Sequence, residues 1–424
     1  MGRPIEGFLR IAALPQTLFA AAVVLCGNLE SNAGQWPQIL GPHRNGQADG
    51  ETLADRWPSA GPATLWQHAL GSGLAGAAGA DGRVVVFHRQ ADQELVESLD
   101  AVTGKRIWKT PLPATYVPTY TSDDGPRCVP VVHAGFVYLC GAACDLYCLD
   151  AQSGRRVWSR ALAEDYRIPE SYFGAGSTPL IEGDRLLLNV GGLSGAGMMA
   201  FSLSDGKTVW KSSDERASYS SPTACTVAGV RHVIFVTRYH LLSVDPASGR
   251  VRWRLPFGKR GPTVNAATPL VLDDSVFVSA SYGVGAMLAR ITPDAAHPTW
   301  ANDTSMSSQY STCVHHEGLL YGIDGRQDVG VARLRAVDPQ TGEVKWTEEG
   351  FGMASLILAD GKLVIVKTDG HLVLARPSPE KYQQLASAKI FDATVQALPA
   401  LSDGMLYVRD TTTLKCLQLA PAGN

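Results

Sequence analysis

Past residue 33 the sequence holds no apolar run long enough to cross a bilayer, so no helical membrane span is expected there. Charge is also scarce: 18% of the 424 residues are Asp, Glu, Lys or Arg, and the formal net charge is −3. Nothing electrostatic therefore points to nucleic acid. There is no Cys-Cys or Cys-x-x-Cys pair, no Gly-x-Ser-x-Gly elbow, and no Ser–His–Asp arrangement that spacing can place. His315-His316 has no further ligand at metal-binding spacing, so no metal site is expected. The eight cysteines are 26, 128, 140, 144, 148, 225, 313 and 416. Cys140, Cys144 and Cys148 share one hairpin, which permits a disulfide, but an odd count beyond residue 33 and strand-like placement favour buried thiols.

The start of the chain reads differently. Arg3 and Arg10 flank an apolar stretch, Ile11 to Leu25, and Ser31-Asn32-Ala33 forms a small-x-small cleavage site. Residues 1–33 are thus expected to be a secretory signal peptide, giving a periplasmic or secreted protein. Cys26 suggests a lipid anchor, but Leu25 stands where a small residue is needed, and ordinary cleavage is favoured.

What the sequence has in abundance is a repeated phrase. Leu99-Asp100-Ala101-Val102-Thr103-Gly104 leads to Trp108, and Leu149-Asp150-Ala151-Gln152-Ser153-Gly154 leads to Trp158. Clear copies before Trp253 and Trp346, and looser ones before Trp210 and Trp300, make six. The Asp accepts turn amides, the Gly supplies positive φ, and the Trp offers a large anchor with few rotatable bonds. With Trp66 the tryptophans lie 42 to 52 residues apart, the length of a four-stranded propeller blade, and Tyr382 stands where an eighth is due. Small, Pro-containing segments recur between them as candidate inner strands, near 74–80, 127–132, 177–181, 220–225, 266–271, 311–314, 352–357 and 396–401. The fold expected is all-β: an eight-bladed propeller over residues 62–424 whose incomplete last blade is closed by the N-terminal strand around Trp66.

The phrase Asp-x-x-Thr/Ser-Gly-Lys/Arg-x-x-Trp resembles the tryptophan-docking repeat of quinoprotein-type (PQQ-like) β-propellers, which include PQQ dehydrogenases and BamB-like barrel-assembly lipoproteins. The resemblance covers nearly all of the chain after the leader. Gln35-Trp36-Pro37 through Gly41-Pro42-His43-Arg44-Asn45-Gly46 looks like the opening of secreted planctomycete-type members. Residues 34–61 are expected to lie as a clamp across the outside of the fold.

Strand direction separates two faces. The Gly turns share one; the irregular B–C loops and blade-to-blade connections share the other, where functional groups usually sit. Candidate ligand or partner residues there are Tyr116, Tyr120, Asp123, Asp124, Arg127, Tyr172, Tyr219, Asn265, Tyr282 and Tyr310. Arg127, Tyr219, Asn265 and Tyr310 enter inner strands at the funnel mouth, where they would either meet an anionic or peptide-like ligand or brace backbone. The second role is favoured. The glycine-rich loop 191–197 joins strand to strand, so a phosphate site is not expected.

The function expected is a monomeric binding or scaffolding propeller for envelope or secreted proteins, without a cofactor. Two alternatives are a small oxidoreductase using PQQ and calcium and a polysaccharide-binding propeller. Under the first, Asp123, Asp124 and Asp324 are the acids available as base or calcium ligands, although the adjacent cysteine pair of many relatives is missing.

Overall fold

A computed structural model of the protein describes residues 1–2, 34–169, 173–261 and 263–421. Residues 3–33, which carry nearly all of the expected leader and Cys26, and Tyr172 lie outside the described residues. Blades one to seven begin with inner strands Ala78–Ala80, Val131–His133, Leu180–Glu182, Thr223–Val227, Leu270–Leu272, Val314–His316 and Ala354–Ala359, each continued by three antiparallel strands. Blade eight has three strands from the C-terminal end, Ala400–Ser402, Met405–Arg409 and Thr413–Gln418, and its outer strand is Thr64–Ala69. Trp66 pairs with Cys416 in that seam. The result is an eight-bladed β-propeller; its one helix among the described residues is Leu162–Tyr166.

The repeated phrase builds the outer hairpin as its chemistry requires. Asp100 Oδ1 accepts the Thr103 amide at 2.8 Å and the Thr103 hydroxyl at 2.7 Å, and Gly104 takes φ +67°. Each glycine lies against the tryptophan of the preceding blade: a Cβ on Gly104 would come within 2.5 Å of the Trp66 ring. The indole N–H then donates to a carbonyl of that same turn, Trp66 to Ala101 at 2.9 Å, Trp108 to Ala151 at 3.0 Å and Trp158 to Leu203 at 2.8 Å. Trp210, Trp300 and Trp346 repeat the bond to Pro246, Pro339 and Ser378. Trp66, Trp108, Trp210 and Trp253 are buried; Trp158, Trp300 and Trp346 are half-buried. Trp253 faces the loosest turn, which lacks the glycine, and its indole nitrogen has no partner among the described residues.

Two expectations need correction. Tyr382 is not the eighth anchor, because register places Ala386 opposite Leu374, where other blades carry Trp. The reason is topological: blade eight has no outer hairpin turn, since its outer strand comes from the other end of the chain, so an indole there has nothing to dock on. Tyr382 instead meets Phe351 edge-on, with ring centroids 5.5 Å apart. Second, most inner strands start three or four residues later than expected. The preceding amides run down the funnel wall and bond to the neighbouring blade instead, Val129 N–H to Thr178 Oγ1 at 3.1 Å and Thr178 N–H to Ser221 Oγ at 2.9 Å.

The N-terminal segment is the largest correction. Residues 34–53 do not clamp the outside; they enter the turn-face end of the central channel. Trp36 exchanges two backbone bonds with Gly79 of blade one, and Pro37 O accepts Val132 N–H of blade two at 2.8 Å. Arg44, 2% exposed, donates to the Thr178, Pro179 and Pro222 carbonyls of blades three and four. Gln47–Ala48 pairs in parallel with Ala354–Ala359 of blade seven, and Glu51 caps the Asp403 and Gly404 amides of blade eight. Gly41 has φ +81° and lies against the Trp36 ring, where a Cβ would come within 2.9 Å. The Trp, Gly and Arg of the opening phrase are therefore channel-packing residues.

At the closing seam His68, on the outer strand of blade eight, and buried His88 both bond Glu97, at 2.9 and 3.4 Å. Gly71 N–H donates to His88 Nδ1, which leaves the His88 Nε2–H facing the carboxylate. Burial acts to raise Glu97, but the histidine hydrogen bonds outweigh it and bring the carboxyl down to about 2. Burial also lowers His88, against the pull of Glu97. Both groups sit below their unfolded values of roughly 4.3 and 6.5, so their stabilisation is complete above about pH 6.5 and is lost as pH falls. Glu97→Gln should be less stable at pH 7 in urea titrations, and its stability should fall less steeply between about pH 4.5 and 2.

Candidate functional site

With one end of the channel filled by residues 34–53, the loop face is the open one. Two clusters of polar side chains stand on it.

The first joins blades one and two. Asp123 accepts the Gly73 amide at 3.0 Å and the Gly125 amide at 3.2 Å. Asp124 accepts Ser72 Oγ at 2.5 Å and pairs with Arg89 at 3.2 Å, while Arg89 also donates to Tyr116 O at 2.8 Å. Arg127 donates to Gly125 O at 2.7 Å and lies 5.7 Å from the Tyr116 ring centre. Tyr116, Asp123, Asp124 and Arg127 thus come together; the two carboxylates and the guanidinium are bonded to the loop that carries them or to Ser72 and Gly73 beside it, while the buried Tyr116 hydroxyl has no partner among the described residues. The outermost residues of that loop, Val117 and Tyr120, are 76% and 67% exposed.

Glu94, which the sequence reading passed over, belongs to this cluster. It is 3% exposed and accepts the Ala142 amide at 2.8 Å. Burial pushes its carboxyl up to about 7; the Ala142 N–H opposes this, Asp145 adds to it, and Arg89 and Arg127 offset part. It lies in the strand Gln93–Asp100, whose residues 94–99 are all buried, so no alternation in the sequence marks it out.

The second cluster lines an open cleft of about 600 Å³ between blades five and six, bordered by Tyr282, Asp303, Ser307, Asp324, Arg326 and Val331. Tyr282 takes φ +65°, an uncommon conformation for a bulky residue. Gln309 donates to its hydroxyl at 3.0 Å, and Arg326 lies 4.1 Å over its ring. Asp328 holds Arg326 at 3.0 Å, and Tyr310 donates to Gln327 at 2.7 Å, a carbonyl shared with Gln396 of blade eight. Burial raises the Tyr310 hydroxyl, keeping it protonated as a donor. Asp324 accepts the Ser307 amide and pairs with Arg333 and Arg335 at 3.4 and 3.2 Å.

Asn265 and Tyr219 join neither cluster. The Asn265 side chain donates to Thr237 O at 2.9 Å and Arg238 O at 3.2 Å, and its backbone carbonyl accepts Tyr219 N–H. Tyr219 OH accepts the Phe173 amide at 2.9 Å. Both brace backbone between blades. Among the described residues no three His, Cys, Asp or Glu side chains are grouped as metal ligands. Asp123 and Asp124 lie on the blade one to two connection and Asp324 on blade six, each already committed.

A family model described as outer membrane protein assembly factor BamB matches residues 92–348, more than half of the chain. The chain belongs to this BamB-like propeller family. BamB of Burkholderia pseudomallei is 25% identical over 330 residues, covering 74% of this chain and 76% of that one. The quinoprotein ethanol dehydrogenase of Pseudomonas putida is 25% identical over 285 residues, 58% of this chain and only 44% of the enzyme. The crystal structure of BamB from Moraxella catarrhalis superposes with TM-score 0.60 at 14% identity, covering 84% of this chain and 99% of that one. Quinohemoprotein alcohol dehydrogenase from Comamonas testosteroni gives 0.66 at 14%, covering 93% and 82%. These two likenesses establish the shared propeller fold, common to BamB-like and quinoprotein chains alike. In this BamB-like chain the described residues contain no helix long and apolar enough to cross a membrane.

Proposed function

We propose that the chain is an exported propeller that binds protein partners of the cell envelope on its loop face, and does so without PQQ or calcium. The observation that carries the reading is the asymmetry of the channel. Residues 34–53 fill the turn-face end, while the loop face presents exposed Val117 and Tyr120 and the cleft beside Tyr282. Exposed aromatic and aliphatic residues on a braced loop are the kind of anchors that protein interfaces use. Membership of the BamB-like family supports the same reading. The acids a calcium ion would need are separated and already paired, which supports binding over redox chemistry.

A photo-crosslinking residue at position 120 should capture a defined envelope protein that the same residue at position 102, in a Gly turn of the other face, does not. Binding of that purified partner should weaken about tenfold or more in a Val117→Asp, Tyr120→Ala double variant, on the scale of lost hot-spot contacts. Stoichiometric uptake of PQQ with calcium, and turnover of an alcohol or sugar, would overturn the reading in favour of an oxidoreductase.

A further inference from the structure

Three thiols converge where blade two meets the loop face. Cys140 ends the second strand of that blade, and Cys144 lies four residues on, across the turn. Their sulfurs are 3.6 Å apart, with the Cys140 S–H donating to Cys144 Sγ, and the residues are 1% and 5% exposed. Cys144 is held in the left-handed region at φ +70°, and its amide bonds Gly141 O at 2.9 Å, which turns its side chain back toward Cys140. Cys128 is the third: its sulfur accepts the Cys140 amide at 3.4 Å.

We propose that Cys140 and Cys144 are a disulfide-forming pair, oxidised by exchange with a disulfide such as oxidised glutathione. Cys144, which accepts the S–H of its neighbour, loses its proton and attacks one sulfur of the oxidant, releasing a first thiol. Cys140 then displaces the second. One S–S bond forms in the protein and one breaks in the oxidant; two electrons and two protons pass from the protein to the two released thiols. Cys128 sits across the strand in contact with backbone and is left reduced.

The bond has a consequence for the loop face. The Ala142 amide between the two cysteines bonds Glu94 of blade one, and Ala142 O accepts the Ala175 amide of the segment entering blade three, at 2.8 Å for each. Closing the small ring pins a hairpin that three blades share, so the oxidised protein should be stiffer there than the reduced one.

The test is to refold the full chain in a glutathione redox buffer, denature it, alkylate the free thiols and weigh and map the product. The oxidised protein should show two alkylated thiols fewer than its reduced control, with a peptide joining Cys140 to Cys144. Cys148→Ser should still lose two and Cys140→Ser none. Hydrogen exchange at the Ala142 and Ala175 amides should be slower in the oxidised form. An unchanged thiol count, or a map joining Cys128 to either partner, would overturn the pairing.

Discussion

A chain beginning at Gly71 should not fold. It lacks Thr64–Ala69, the outer strand of blade eight, and with it Trp66, which docks on the Ala101 carbonyl of blade one. The strand Thr413–Gln418 would then be left with an unpaired outer edge at the seam. It would also lose His68 from the Glu97 pair and every contact that residues 34–53 make in the channel. Domains of ordinary stability hold a margin of only about 5–15 kcal/mol, and this deletion removes interactions at nearly every blade. The expected result is loss of the cooperative melting transition and of near-ultraviolet circular dichroism. A chain beginning at Gly61 separates the two contributions. It keeps the closing strand and should fold, but with a lower Tm, because Trp36, Ile39, Leu40 and Leu53 no longer bury side chains worth about 1.5–3 kcal/mol each before the ordering cost. Identical melting of all three chains would sink the closure scheme.

Replacing Trp108 by Ala should cost about 3–5 kcal/mol, the range for truncating a large buried aromatic. The ring packs on Gly154 and its N–H bonds Ala151 O, so the substitution opens a cavity between blades one and two and leaves that carbonyl without its partner. Urea denaturation should show the midpoint shifting at unchanged slope. Ala386 is the internal contrast. It holds the same register in blade seven, but the turn that would receive an indole does not exist, so Ala386→Trp should add no stability. Equal gains and losses at the two positions would mean that the tryptophans act through general bulk and not through docking on the next turn.

Sequence by itself determined the elements that are local and repeated. The outer hairpins of blades one to four and six are each specified within ten residues, by an Asp that caps the turn, a Gly that takes positive φ and a Trp that lands on the next strand. The spacing of the six phrases, together with Trp66 and eight recurring inner-strand segments, pointed to eight blades and the closing strand around Trp66, because blade length is fixed by strand number and turn chemistry. Tertiary structure alone decided what the ring brings together once it shuts. Arg44 finds its carbonyl partners 134 to 178 residues away, Glu94 becomes buried against the Ala142 amide, and Tyr282 meets Arg326 across a cleft between blades. The same closure moved residues 34–53 from an expected outer clamp into the channel, and it left Ala386 where periodicity asks for an anchor. Turn chemistry acts over a few bonds and leaves a pattern in the chain. Burial and pairing across blades depend on where a closed ring places distant segments, and no local pattern records that.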